Sequence, residues 1–252
     1  MSITVSHLSF AYPRHPVLED ISFSAQPGLT AVLGSNGAGK STLLRCILGL
    51  LDGYRGTISL CGQDITRLSP RERSALAAYV PQLHQSVFSY PAFDVVLMGA
   101  ACRLPVYASP GKAERIIAEQ AFEKLEITQL RGRSFSHLSG GERQMILIAR
   151  ALAQQTSVLI MDEPTASLDY GNQLLVMERI RRLAGEGYTI LLSTHDPQGA
   201  LQHTDHLLAL YGGHIAAFGT TQEVLTPQLL RTLYGVDVTI KDGVILPGRN
   251  RT

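Results

Sequence analysis

Apolar and polar positions alternate over the first 23 residues, through Ile3-Val5-His7, Val17 and Ile21-Phe23. A period of two marks half-buried β-strands, here two of them joined by a turn around Pro13–Pro16. LTAVL (29–33) is a short unbroken apolar run, the mark of a buried strand; a glycine-rich stretch follows, and STLLRCILGL then takes up helical spacing. Gly56–Leu60 predicts another strand, closed by a turn at Cys61-Gly62. From about Val87 to Ala153 the period changes. AFDVVLMGAA, KAERIIAEQAFEKLEI and GERQMILIARALAQ each carry apolar residues three and four apart, as amphipathic helices do. Alternation then returns with the strand SVLIM, the helix YGNQLLVMERIRRLAG, the strand YTILLS, the short helix PQGALQHT and the strand HLLAL. VDVTI-KDG-VILP reads as a closing hairpin with a frayed tail.

Strands that alternate with helices predict a mostly parallel sheet covered on both faces. The helical stretch 87–155 then reads as an insertion into an α/β core made of residues 1–86 and 156–252. The N-terminal strands form a small antiparallel sheet at its edge, and all 252 residues belong to one domain. With 22 basic and 21 acidic residues the chain has no electrostatic pull toward nucleic acid. The three cysteines, Cys46, Cys61 and Cys102, are too widely spaced for a zinc site or a disulfide framework and read as buried small hydrophobes. MSITVSHLSF lacks the basic and apolar regions of a signal peptide. The longest apolar runs fall short of the roughly 18 residues a spanning helix needs.

The candidate chemistry begins at GSNGAGKST, Gly34 to Thr42, which fits G-x-x-x-x-G-K-[ST] between a strand and a helix. Such a loop curls the backbone N–H groups of Gly34, Ser35, Asn36, Gly37, Ala38, Gly39 and Lys40 around a phosphate, and the helix start adds its positive end. Lys40 can reach the β- and γ-phosphates, and Ser41 can ligate Mg²⁺. In SVLIMDEP, Asp162 and Glu163 stand at the end of an apolar strand, on the sheet edge where α/β folds bind ligands. Asp162 suits Mg²⁺; Glu163 suits a general base acting on water. LSGGERQ (138–144) sets Ser139 and Glu142 as a capping box before an apolar helix. The box accounts for the serine and the glutamate. It leaves Gly140 and Gly141 to be explained, and a close approach of backbone to a second anion explains them.

GSNGAGKST, YVPQ, LSGGERQ, VLIMDEP, SLD and STH follow in the order and approximate spacing of an ATP-binding cassette (ABC) subunit, and the resemblance spans the whole chain. It implies a P-loop NTPase core with an antiparallel β subdomain and an inserted helical subdomain, and a head-to-tail homodimer that sandwiches two ATP molecules. Ser139, Gly140, Gly141 and Glu142, with Ser167 and Asp169 of ASLD, would then serve the nucleotide held by the opposing subunit. Tyr12 resembles the aromatic that stacks on adenine. Gln82 resembles the glutamine that reaches Mg²⁺ and the attacking water. His195, after YTILLST, resembles the histidine that bonds the γ-phosphate; His203, His206 and His214 read as structural. Water would attack the γ-phosphate in line, only once the dimer closes.

One cassette with a short helical insertion resembles a transporter subunit, peripheral on the cytoplasmic face of the cell membrane. SVFSYPAFDVVLMGAACR and YGVDVTI resemble importers of metal chelates such as iron–siderophore, haem and cobalamin. There a cytoplasmic helix of a many-spanning permease, fed by a substrate-binding protein, would meet Asp94 to Leu97. One departure is that Ala100 stands where relatives often carry a basic residue. Import of another small solute, export, and a soluble scaffold ATPase as in iron–sulfur cluster assembly stay open as alternatives.

Overall fold

The computed structural model describes residues 2–13, 15–82, 90–105 and 107–248. The chain opens with β1 (Ile3–Tyr12), β2 (His15–Ala25) and β3 (Gly28–Leu33), then α1 (Lys40–Ile47), β4 (Arg55–Leu60), β5 (Gln63–Asp64), α2 (Pro70–Leu76) and β6 (Ala77–Val80). The helical block follows as α3 (Ala92–Ala100), α4 (Lys112–Lys124) and α5 (Gly140–Ala153). Next come β7 (Val158–Asp162), α6 (Tyr170–Gly185), β8 (Thr189–Thr194), α7 (Pro197–His203), β9 (His206–Tyr211) and β10 (His214–Thr220). The last elements are α8 (Thr221–Val224), α9 (Pro227–Tyr234) and the hairpin β11 (Val238–Lys241) with β12 (Val244–Pro247).

A six-stranded sheet in the order β10-β9-β3-β8-β7-β6 forms the centre, parallel except for β10. A four-stranded antiparallel sheet, β2-β1-β4-β5, lies beside it. Period-two alternation along the central strands feeds two separate cores. Leu159 and Met161 of β7, like Leu29 and Ala31 of β3, pack with the helical block and α6. Val158 and Ile160 face the other way, onto Leu43, Leu44 and Ile47 of α1 and the inner side of the antiparallel sheet. Burial on both faces is why these strands read as unbroken apolar runs.

Several expectations change. β2 begins at His15, so Pro16 is a strand residue opposite Ala11 rather than part of the turn. It is tolerated because β2 is an edge strand. α2, with Ser69 and Glu72 closing a capping box and Pro70 in its first turn, carries too few residues to display a period. β10 lengthens the sheet at its far edge with an alternation of half-buried and exposed positions. The start of the helical block expected at Val87, the subdomain boundary at 86/87, and SVFS (86–89) lie outside the described residues. Cys46 is buried, which pushes its thiol up to about 12, whereas Cys61 and Cys102 are only partly buried. Among the described residues no helix is long and apolar enough to cross a membrane.

Candidate functional site

Parallel strands in register end together, and that brings distant loops to one edge. Leu33 lies beside Thr194, Asp162 beside Ser193 and Val80 beside Met161. The residues just past these strand ends are Gly34, His195, Glu163 and Gln82, so the parallel register assembles the site.

The phosphate loop ends at Gly39, which caps α1 with φ of 96°, a left-handed backbone that disfavours any side chain. The cap provides no side-chain acceptor, so the N–H groups of the first turn are left for a ligand. Lys40 is 5% exposed. Its ammonium donates to the carbonyls of Gly34 (2.9 Å) and Ser35 (3.1 Å) and stands 3.5 Å from Glu163 Oε1.

Asp162 is buried and gathers hydroxyls: Ser41 donates to its Oδ1 at 3.0 Å and Ser193 at 2.6 Å. Ser193 Oγ also accepts the N–H of Glu163 at 2.9 Å, which joins the two strand ends. Tyr79 lies half-buried near them; burial pushes its phenol up, the charge of Asp162 adds to that, and Arg45 opposes it. Glu163 turns away from Asp162 on a φ of 45°, a strained value for a residue with a side chain. Its carboxylate meets His195 Nδ1 at 3.2 Å and accepts from Gln82 Nε2 at 3.5 Å. Glu163 and His195 line a cavity of about 50 Å³, large enough for water. Lys40, Ser41, Gln82, Asp162, Glu163 and His195 thus converge.

The other expected residues lie elsewhere. Tyr12 ends β1 half-exposed, its ring edge-on to Phe10 at 5.0 Å. Ser139 caps α5, with Glu142 N–H donating to Ser139 Oγ (3.2 Å) and Ser139 N–H to Glu142 Oε2 (2.8 Å). That N–H bond, ahead of other causes, holds the Glu142 carboxyl below the usual range. Asp169 caps α6 by accepting from Asn172 N–H at 3.0 Å, and Ser167 is exposed beside it. Gly140 approaches this same turn, since a Cβ there would sit 3.2 Å from Leu168. The two loops form a second cluster, joined to the first through the turn after Glu163, where Ala166 N–H donates to the Glu163 carbonyl at 3.3 Å.

Gly141 has a cause inside the chain: a Cβ would sit 2.3 Å from Asn172 Oδ1 and 2.9 Å from Asn172 Cβ. Gly141→Ala is therefore expected to destabilise the fold by about 1–3 kcal/mol in denaturant unfolding. Gly140→Ala should change little, because only the mobile end of Leu168 must move; equal costs at both positions would contradict this account. Missed by sequence reading were Ser193, which opens STH, and Tyr79, which opens YVPQ; each lies within a motif but neither residue type marks a site by itself.

The sequence pattern of the family described as "ABC transporter" matches residues 18–166. The chain belongs to this family. A protein of Helicobacter pylori named as a probable iron chelatin transport ATP-binding protein is 38% identical over 238 residues, 93% of each chain. A manganese transport system ATP-binding protein of Bacillus subtilis is 36% identical over 250 residues, 98% of each chain. Among solved structures, a metal-chelate type ABC transporter in an inward-facing conformation superposes with a TM-score of 0.84 at 32% identity, covering 97% of this chain and 95% of that one. The protein is accordingly an ABC ATPase, which binds ATP and hydrolyses it to drive transport. Its central sheet, antiparallel β subdomain and helical block are the P-loop NTPase architecture of that family.

One expected contact needs correction. Val95, Val96 and Leu97 are buried in the helical core, so they present nothing to a partner. Asp94 and Met98, four apart on α3, are half-buried and half-exposed, and Tyr90 just before the helix is 48% exposed.

Proposed function

We propose that this ATPase powers import of a metal chelate, working as a head-to-tail homodimer on the cytoplasmic face of the cell membrane beneath a multi-span permease. The observation that carries the dimer is the division of the site. One cluster holds Lys40, Ser41, Asp162, Glu163, Gln82 and His195 together. The second, Ser139 to Glu142 with Ser167 and Asp169, spends its side-chain contacts on the α5 cap, on Arg133 and on Asn172 of α6. A second copy turned head to tail supplies the missing donors over each γ-phosphate.

The site fits its ligands. The uncapped start of α1 and the Lys40 ammonium, resting on two carbonyls, suit phosphates. Ser41 and Asp162, already 3.0 Å apart, offer the hard oxygens Mg²⁺ prefers, with Gln82 nearby. Held there, Mg²⁺ would draw negative charge from the phosphate oxygens. Lys40 leaves the loop carbonyls for the phosphates. Glu163 takes the proton of the attacking water, His195 orients it and bonds the γ-phosphate, and the products are ADP and phosphate. Tyr12 carries the adenine by stacking.

Ser139→Arg tests the two-chain site. A side chain of that size at the exposed α5 start should abolish hydrolysis, by about 100-fold or more for a lost transition-state donor, while leaving ATP binding to the single chain intact. Hydrolysis at the wild-type rate would refute the shared site; loss of the fold on thermal melting would mean that capping was the main role.

The metal-chelate reading draws on the relatives, whose names point to iron chelatin and metal-chelate transport. The manganese relative favours a bare cation instead. Tyr90, Asp94 and Met98 make the permease contact in this reading. Uptake of ferric siderophore against Mn²⁺ in vesicles carrying the co-purified permease separates the two. Outward movement, or co-purification with a soluble complex, would replace import with the export or scaffold alternative.

A further inference from the structure

The C-terminal unit, α9 and the hairpin β11–β12, leans on the segment that carries His195, and two polar ties join them. Tyr234, the last residue of α9, donates its hydroxyl to the backbone carbonyl of His195 at 3.3 Å. Gln198, in the first turn of α7, holds the hairpin with both ends of its amide: Nε2 donates to the Gly243 carbonyl at 3.0 Å, and Oε1 accepts the Ile245 N–H at 2.8 Å. Apolar burial supports both. Leu229, Leu230 and Leu233 seat α9 in the core, and Tyr234, Val238, Ile240 and Ile245 pack against it. Between β8 and α7 the loop itself is short. Asp196 N–H donates to Thr194 Oγ1 at 3.0 Å, and Asp196 caps α7 through Gln198 N–H at 3.0 Å. These bonds fix the residues on either side of His195, and the Tyr234 hydroxyl reaches His195 directly.

We propose that Tyr234 is a positioning residue for His195. Its hydroxyl sets the His195 backbone so that the imidazole faces Glu163, and the hairpin clipped by Gln198 keeps Tyr234 in place. The proposal rests on the role of His195 given above. A hydrogen bond at the carbonyl of the residue to be aimed restrains the rotation that would swing its side chain away, and small misplacements of a catalytic group cost rate steeply. Burial, and then the charge of Asp196, push the Tyr234 phenol up to about 12, so it keeps its donor proton at any ordinary assay pH.

The test compares three variants of the full chain by steady-state ATP hydrolysis. Tyr234→Phe removes only the hydroxyl and should lower kcat about 2- to 13-fold, the range for one hydrogen bond, with KM for ATP within about twofold of wild type. Gln198→Leu should show the same split, and the double variant should fall no further than the stronger single one, because the two act in series. The His195 imidazole resonance should shift in both variants. His195→Ala separates the two claims. If it leaves kcat unchanged, the role of His195 is wrong, whatever Tyr234 does. If it collapses kcat while Tyr234→Phe and Gln198→Leu retain wild-type kcat and an unmoved His195 resonance, the positioning proposal is overturned. A rise in KM with kcat intact would overturn it equally.

Discussion

Glu163→Gln is expected to lower ATP turnover by about 100- to 10,000-fold, the usual contribution of a general base, while ATP binding survives. The amide keeps the shape of the carboxylate and can still meet the His195 and Gln82 side chains, which stand 3.2 and 3.5 Å away. It cannot take a proton from water. The charge it loses is also the one that faces Lys40 at 3.5 Å in a pocket where the two side chains are 5% and 14% exposed. Without that competing anion the ammonium is freer to meet phosphates, so ATP should be held at least as tightly. In the proposed two-chain site, nucleotide that binds and is not cleaved keeps the dimer closed. Size-exclusion chromatography with ATP should show a stable dimer, and phosphate release should show almost no turnover. Turnover at the wild-type rate would end the general-base assignment, since no other carboxylate of the site has its orientation: Asp162 is occupied by the hydroxyls of Ser41 and Ser193.

Lys40→Ala is expected to act on the opposite quantity, the affinity. The ammonium spends its donors on the Gly34 and Ser35 carbonyls, with Glu163 close by. These partners stand in for phosphate oxygens. In the role proposed for Lys40, binding of ATP exchanges them for charge-assisted bonds. Each such bond contributes about 1.5–3 kcal/mol, so ATP should bind roughly 10- to 150-fold more weakly to the variant. Calorimetric titration measures this directly. The buried stem of Lys40 also packs, and two loop carbonyls lose their donor, so a lowered unfolding midpoint without nucleotide should accompany the loss. Unchanged ATP affinity would mean that this loop does not carry the phosphates. Glu163→Gln thus suppresses turnover with binding kept, and Lys40→Ala weakens binding itself; the two are separable in one titration.

The second cluster shows how local and tertiary causes overlap. Ser139 and Glu142 announced the start of α5, and their reciprocal bonds are present. Sequence reading credited both following glycines to an approaching anion. The structure divides them. Gly141 is small because α6 passes over it at Asn172, whereas Gly140 borders only the Leu168 side chain and Ser167 backbone. A residue thirty-one positions away leaves no trace in local spacing. The error at Val95–Leu97 has a similar origin. A helical period shows that one face is apolar, but α3 is buried nearly all round, packed against both α4 and α5. Only Asp94 and Met98 reach the surface on its polar side.

By itself the sequence determined the strand and helix runs, the phosphate loop between β3 and α1, the paired acids at the end of β7 and the capped start of α5. Each of these is a local matter of period, conformational freedom or a hydrogen bond within a few residues. Tertiary structure decided the rest. Only the parallel register of β3, β8, β7 and β6 sets Lys40, His195, Glu163 and Gln82 on one edge, and only packing of α9 carries Tyr234 to the His195 carbonyl. The physical reason is that these relations depend on which surfaces bury one another, and burial is settled by the whole chain at once rather than by any stretch of it.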